Sequence, residues 1–415
     1  MFYNGYGDKM ERQILHVDVN NAFLSWTAID RLKRGETLDI RTIPAVIGGD
    51  ESMRHGVVLA KSMKAKEFGI KTGEPILWAR KKCPYIRVFK GDYDSYKKHS
   101  DELYKILQEY TDKIERFSID ECFMDMTLFL RPNEKLIDKA YEINKRVREE
   151  LGFTVNIGVA NNKLLAKMAS DFTKPDRVHT LFKEEIPKKM WILPVSELFM
   201  VGSKTIPKLE QIGIKTIGDL ASYDLKILIK KFGKHGKMMW EYANGIDESE
   251  VVYEYEMPKN IGNSITLPQD VYNINRLNEV LLALSEQVAY RLRKYELKAG
   301  VVSVQIKTKD FISYSRQKTL SQPTNLTKEI YEECRKLLSQ LHQSRAVRLI
   351  GIQTSKLVEK DEIQMSLFDK QTDKKQEKIE NVMDKLKNKY GYEMITRAGK
   401  MKVKNMLNIR AEKQE

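Results

Sequence analysis

Acidic residues set inside apolar segments are the first candidates for chemistry in this chain. Asp18 stands near the end of ILHVDVN (Ile14–Asn20), and Asp120 and Glu121 stand side by side in FSIDECFMDMT (Phe117–Thr127). An ionised carboxylate in apolar β context is costly unless a cation compensates it. Two divalent metals sharing carboxylate oxygens would answer that cost, and would orient and neutralise a phosphoryl group. The plainer reading is that these acids cap turns or pair with Lys and Arg, and the pattern alone leaves both open. Neighbours on a regular strand point to opposite faces, so Asp120 and Glu121 share one site only at a hairpin turn or bulge. Other chemistries find little support. Cys83, Cys122 and Cys334 are far apart with no CxxC, which excludes a disulfide scaffold and a structural zinc site of ordinary spacing. The six His are scattered, and no GxxxxGK[ST] is present to cradle a nucleotide.

These acids need a sheet to hold them, and the first half of the chain reads as α/β. Strand character at Ile14–Asn20, Ile114–Thr127 and Phe153–Ala160 alternates with helical spacing at Ser95–Ile114, Lys135–Gly152 and Asn162–Phe172. The last of the longer helices is closed by a Gly. About 70 residues of mixed character, Ala22 to Gly91, are inserted after the first strand. Leu193–Ala221 then reads as short helices punctuated by Gly202, Gly213 and Gly218, and Gly245–Asn260 as a polar linker. A βαββαβ series follows from Ile261 to Val358, and the remainder is polar, with one amphipathic stretch near Lys378–Tyr390. No internal repeat is visible.

The 415 residues carry 72 Lys+Arg against 58 Asp+Glu, a net +14, which points either to a polyanionic partner or only to solvation of the surface. Pro258–Ser355 holds 15 Lys+Arg and 8 Asp+Glu, so half of that excess lies in a quarter of the chain. In Val301–Lys309 the positions Val302, Val304 and Ile306 alternate with Ser303, Gln305, Lys307 and Lys309. One sheet face is then buried, and the other is either a cationic platform or an ordinary solvated surface. No apolar run approaches the roughly 18 residues of a membrane span. The N-terminus lacks the apolar core of a signal peptide, so a cytoplasmic protein is expected.

Five segments together carry a resemblance to the Y-family DNA polymerases, the translesion enzymes whose bacterial members include DNA polymerase IV and UmuC. They are HVDVNNAF (His16–Phe23), LAKSMKAKEFGIKTGEP (Leu59–Pro75), FSIDECFMDMT, TVNIGVANNKLLAKMASDFTKP (Thr154–Pro175) and LFMVGSKTIPKLEQIGIKTIGDLA. The resemblance implies a multidomain α/β and α+β right-hand fold. Residues 1–21 and 92–181 would form a ferredoxin-like palm and 22–91 small fingers. Residues 182–245 would form a helix-hairpin-helix thumb, 246–258 a linker, 259–357 a βαββαβ little finger and 358–415 a flexible tail.

It also implies roles. Asp18, Asp120 and Glu121, with the backbone carbonyl of Val19, match ligands of two Mg²⁺ ions. Phe23 matches the steric gate that excludes a 2′-hydroxyl, although its bland role is core packing. Lys174, Lys66 and Met63 match contacts to the incoming deoxynucleoside triphosphate. The family usually has Arg at position 66 and Tyr at 63, so bidentate phosphate contact is lost there. Asn20 and Asn21 also replace more acidic or aromatic neighbours. Gly202, Ser203 and Lys204, and Lys307, Lys309 and Arg316, match contacts to primer-template DNA. In the tail, Gln364-Met365-Ser366-Leu367-Phe368 resembles the peptide that binds the bacterial sliding clamp, through Gln364, Leu367 and Phe368. The expected activity is template-directed primer extension of low fidelity, used in damage bypass, with accessory mutagenesis proteins as further partners. A nucleotidyl cyclase on a similar palm, and a weakly catalytic DNA-binding clamp adapter, are the alternatives.

Overall fold

The structure is a computed structural model that describes residues 11–49, 56–254, 257–359 and 374–391. Two compact units divide it, one built from residues 11–49 and 57–254, the other from 257–359 and 374–391.

The first unit begins β1 (Ile14–Val19), α1 (Ala22–Lys33), β2 (Ala45–Gly48), β3 (Val58–Lys61), α2 (Met63–Glu67), α3 (Ile76–Lys82) and β4 (Arg87–Lys90). It continues α4 (Tyr93–Gln108), β5 (Ile114–Arg116), β6 (Glu121–Asp125), α5 (Leu136–Arg146), β7 (Val155–Ala160), α6 (Lys163–Asp171) and β8 (Val178–Thr180). The main sheet has the order β5-β6-β1-β7-β8, with β1 at its centre and antiparallel to both neighbours. Every residue of β1 and β7 is buried, which is why both read as apolar runs rather than alternating strands. The insertion forms a separate three-stranded sheet, β3-β2-β4. Helix α1 serves both sheets: Ala22, Trp26 and Ile29 enter the core of the main sheet, and Leu24 and Ala28 pack with Ile40, Ala45 and Ile47 of the insertion. α5 runs on through a π-turn to Gly152, whose φ of 76° closes it as the Gly signal predicts.

Short helices complete this unit: α7 (Ile186–Lys189), α8 (Ile206–Glu210), α9 (Ile217–Ala221), α10 (Leu225–Phe232) and α11 (Lys234–Ala243). α8 and α9 are joined through Gly213, at φ 85°, and α9 is opened by a Thr216/Asp219 capping box. Leu209, Ile214, Ile217 and Leu220 pack in one cluster with Leu165 and Met168 of α6.

The second unit is β9 (Ile261–Val271), α12 (Ile274–Lys294), β10 (Leu297–Thr308), β11 (Ser313–Thr324), α13 (Thr327–His342) and β12 (Val347–Glu359), followed by α14 (Lys374–Tyr390). This is the expected βαββαβ series, in sheet order β11-β10-β12-β9. Val302, Val304 and Ile306 are buried in one cluster with α12 and α13 residues, as the alternation requires.

Two expectations for this unit need correction. Arg316 is paired across the sheet with Val304, so it lies on the helix-covered side, and its guanidinium donates to Gln340 of α13. Lys307, opposite Ser313, projects from the other face. The β10–β11 register separates residues that sequence distance alone cannot. Second, residues 374–390 are not free tail. α14 is held by the Lys387–Glu286 pair at 2.6 Å, with both side chains almost fully buried, and by Arg293 bonded to Asp384 at 2.5 Å. It docks through buried charge, leaving Ile379 and Val382 exposed. An apolar-stripe reading looks for the opposite face.

Candidate active site

The three carboxylates meet at the end of the β1–β6 pair. Asp18 is the cross-strand partner of Glu121, and the Val19 N–H donates to the Asp120 carbonyl at 3.0 Å. Asp120 precedes β6 in a turn closed by the Phe117 and Ser118 N–H groups donating to the Glu121 carbonyl. That turn is the exception strand geometry demands, and it lets adjacent acids share one site. All three line a cavity of about 380 Å³ with Val19, Phe23, Met63, Lys66 and Lys174. Every palm and fingers residue expected at the nucleotide site is therefore brought together.

Two ammonium groups hold the acids. Lys174 Nζ lies 2.6 Å from Asp18 and 2.9 Å from Asp171. Lys167 Nζ lies 3.2 Å from Glu121, 3.3 Å from Asp171 and 3.6 Å from Asp18. Burial opposes charge on Lys167, but Asp171, Asp18 and Glu121 outweigh it and raise its pKa. Burial likewise opposes charge on Glu121, yet contact with His16 and the charge of Lys167 bring it down to about 2. Asp120 differs: burial, then the Asp18 and Glu121 charges, raise its pKa against the Ser118 hydroxyl at 2.6 Å and a backbone hydrogen bond. His16 is wholly buried, its Nδ1 2.8 Å from Ser170 and its Nε2 3.4 Å from Glu121. Burial also pushes the Cys122 thiol up to about 12, which removes it as a nucleophile.

α6 carries Lys167, with Lys174 shortly beyond its end, and Gly158 of β7 sets the position of α6. A Cβ at Gly158 would lie 1.8 Å from the Ala166 carbonyl oxygen, so only Gly permits this approach. Asn162 caps the helix by accepting from the Leu165 N–H at 2.8 Å. Phe23 opens α1 on the cavity wall and stacks on Tyr96, with centroids 4.7 Å apart and planes 11° apart. It is both a packed side chain and a cavity surface.

The donor set is oxygen only, which fits a hard divalent cation. Asp120, crowded by two carboxylates with no ammonium of its own, marks where positive charge is lacking. Among the described residues, however, no three His, Cys, Asp or Glu side chains are gathered as ready metal ligands. Lys174 and Lys167 neutralise Asp18 and Glu121 instead.

Sequence reading missed Lys167, Asp171 and Lys61. Lys167 and Asp171 are four apart on α6, and a lysine amid Leu164, Leu165, Ala166 and Met168 was the available signal. Gly202, Ser203 and Lys204 are exposed in the turn before α8, which opens at Ile206. Gln364, Leu367 and Phe368 lie outside the described residues.

Comparison with known proteins agrees with this architecture. The impB/mucB/samB family matches residues 17–171 and its C-terminal domain residues 258–367. The thumb domain of DNA polymerase-iota matches residues 197–247. DNA polymerase IV of Clostridium acetobutylicum is 47% identical over 389 residues, covering 94% of this chain and 98% of that protein. DNA polymerase IV 2 of Bacillus subtilis is 36% identical over 415 residues, covering 97% and 98%. Among solved structures, a Y-family DNA polymerase chimera aligns at TM-score 0.74 and 23% identity, over 84% of this chain and 99% of that one. A five-stranded sheet that gathers three acids beside a cationic wall, with a helix-hairpin-helix and a separate βαββαβ unit, defines a nucleotidyl-transfer enzyme acting on nucleic acid. The chain belongs to the Y-family of DNA polymerases, and it is accordingly a DNA-directed DNA polymerase of the translesion type.

Proposed function

We propose that the cavity takes a primer 3′ end and a deoxynucleoside triphosphate. Asp18, Asp120 and Glu121, with the Val19 carbonyl, would hold two Mg²⁺ ions there. The observation that carries this reading is the convergence of three carboxylates from two strands on a cavity also lined by Phe23, Lys66 and Lys174. The primer hydroxyl attacks the α-phosphorus, and pyrophosphate leaves. When bound, the ions would lower the pKa of that hydroxyl and neutralise the leaving group. Asp18 and Glu121, paired here with Lys174 and Lys167, would exchange those ammonium groups for the metal cations. Phe23, held by Tyr96, closes the wall on which a 2′-hydroxyl would collide. Primer-template phosphates are gripped by the turn at Gly202, Ser203 and Lys204 and by Lys307 and Lys309. Arg316, on the helix side, is left out of that platform.

Gln364, Leu367 and Phe368 tether the enzyme to a bacterial sliding clamp, and accessory mutagenesis proteins join it in damage bypass in the cytoplasm. No described helix is long and apolar enough to cross a membrane. Primer extension with and without Mg²⁺ tests the reading. Mg²⁺-dependent, template-directed addition supports it, and no extension under any divalent cation overturns it.

A further inference from the structure

Four ammonium groups line the cavity, and they are not equivalent. Lys174 and Lys167 are committed to Asp18, Glu121 and Asp171. Lys61 and Lys66 face them from the insertion's wall, and neither forms an ion pair within the described residues. Lys61 is the last residue of β3, and its Nζ donates to the Thr72 hydroxyl at 3.2 Å. That bond orients the ammonium and leaves two of its three protons for an incoming acceptor. The carboxylate near it, Glu74, is already bound by Lys82 at 2.5 Å. Burial, and then the like charge of Lys66, weaken the hold of Lys61 on its proton. Lys66 itself is fixed by α2, a short helix whose start is tied down by Ser62: its hydroxyl accepts from the Ala65 and Ala45 N–H groups and donates to the Ile43 carbonyl. Met63, beside them on this wall, offers an exposed thioether and no donor. Two like charges held on one partly desolvated wall, whose nearby acid Glu74 is taken up by Lys82, await an anion that can bridge them.

We propose that Lys61 is a second triphosphate-binding residue, which grips the polyphosphate tail together with Lys66. This inference rests on reading the cavity as the nucleotide site. With two single ammonium groups the wall supplies, from two elements, charge for more than one phosphate. Thr72 is then a positioning residue that acts through Lys61.

The test uses the full chain with primer-template DNA, Mg²⁺ and the complementary deoxynucleoside triphosphate. Lys61→Ala and Lys61→Gln should each raise the nucleotide KM by about tenfold, the worth of one charge-assisted hydrogen bond. They should leave kcat within about twofold and DNA affinity, read by anisotropy, unchanged. Lys61→Arg should restore KM, since it returns the charge. Thr72→Val should raise KM less than Lys61→Ala, because the ammonium remains. An unchanged KM in both Lys61→Ala and Lys61→Gln overturns the inference. So does a fall in DNA affinity that accounts for the lost activity, which would make Lys61 a contact to template or primer. Extension by the parent chain throughout keeps these outcomes separate from failure of the polymerase reading itself.

Discussion

Asp18, Asp120 and Glu121 were legible because carboxylates in apolar strands need an explanation, and a matching motif supplied one. Lys167 was not, because a lysine inside a helix is ordinarily solvated; here α6 points it at Asp18, Glu121 and Asp171 and leaves it 8% exposed. Its effect has a definite pH sign. Despite burial, contact with His16 and then the Lys167 charge bring Glu121 down to about 2 against an ordinary value of 4.5. The stability this contributes is fully present above pH 4.5 and is lost as pH falls toward 2. Lys167→Met should therefore move acid unfolding to higher pH and cost about 2–4 kcal/mol at neutral pH, by stranding buried carboxylates. Circular dichroism melts across pH 3–7 check this. Phe23 poses a separate question, since it both packs on Tyr96 and faces the cavity. Phe23→Ala should admit ribonucleotides while lowering stability by up to about 3 kcal/mol. Single-nucleotide incorporation with ribo- and deoxyribonucleotides decides it. A variant that still rejects ribonucleotides makes Phe23 a packing residue only.

The elements were easier to read than the contacts between them. β1, α5 with its Gly152 stop, β7 and the whole βαββαβ series follow from period and cap signals that are local in the chain. The amphipathic stretch of α14 was visible, but its docking escaped because charge, rather than an apolar stripe, seats it on Glu286 and Arg293. The side on which Arg316 lies escaped because it depends on strand register. The closeness of α6 to β7 was also invisible, since a lone Gly158 in a strand does not say what lies above it. Gly158→Ala should push α6 outward and destabilise the first unit by about 3 kcal/mol or more. Extension should fall with it, because Lys167 and Lys174 move away from the acids. Thermal melting and primer extension on the same preparation show both effects. A variant with parental melting and activity would mean that the sheet and helix yield cheaply.

At the scale of the whole molecule, the carboxylate site and the proposed DNA-contact and clamp segments are separate stretches of the chain. The first unit holds the carboxylates, and the second presents Lys307 among Ser303, Gln305 and Ser313 on the sheet face away from its helices. The proposed clamp segment stands apart from both catalytic strands in sequence. Leu367→Ala with Phe368→Ala should weaken clamp binding at least about tenfold, given roughly 1.5–3 kcal/mol for each buried side chain. Extension of a short primer without clamp should be unchanged. Calorimetry with the organism's clamp checks the first outcome, and unaltered binding removes the assignment of Gln364–Phe368 while leaving the polymerase intact. The carboxylate site is the claim on which everything else depends. Asp120→Ala, compared with the parent chain in Mg²⁺-dependent primer extension and in primer-template binding, tests it most directly. Extension should fall by about a hundredfold or more, with DNA affinity within about twofold. Parental extension rates in Asp120→Ala would contradict the account.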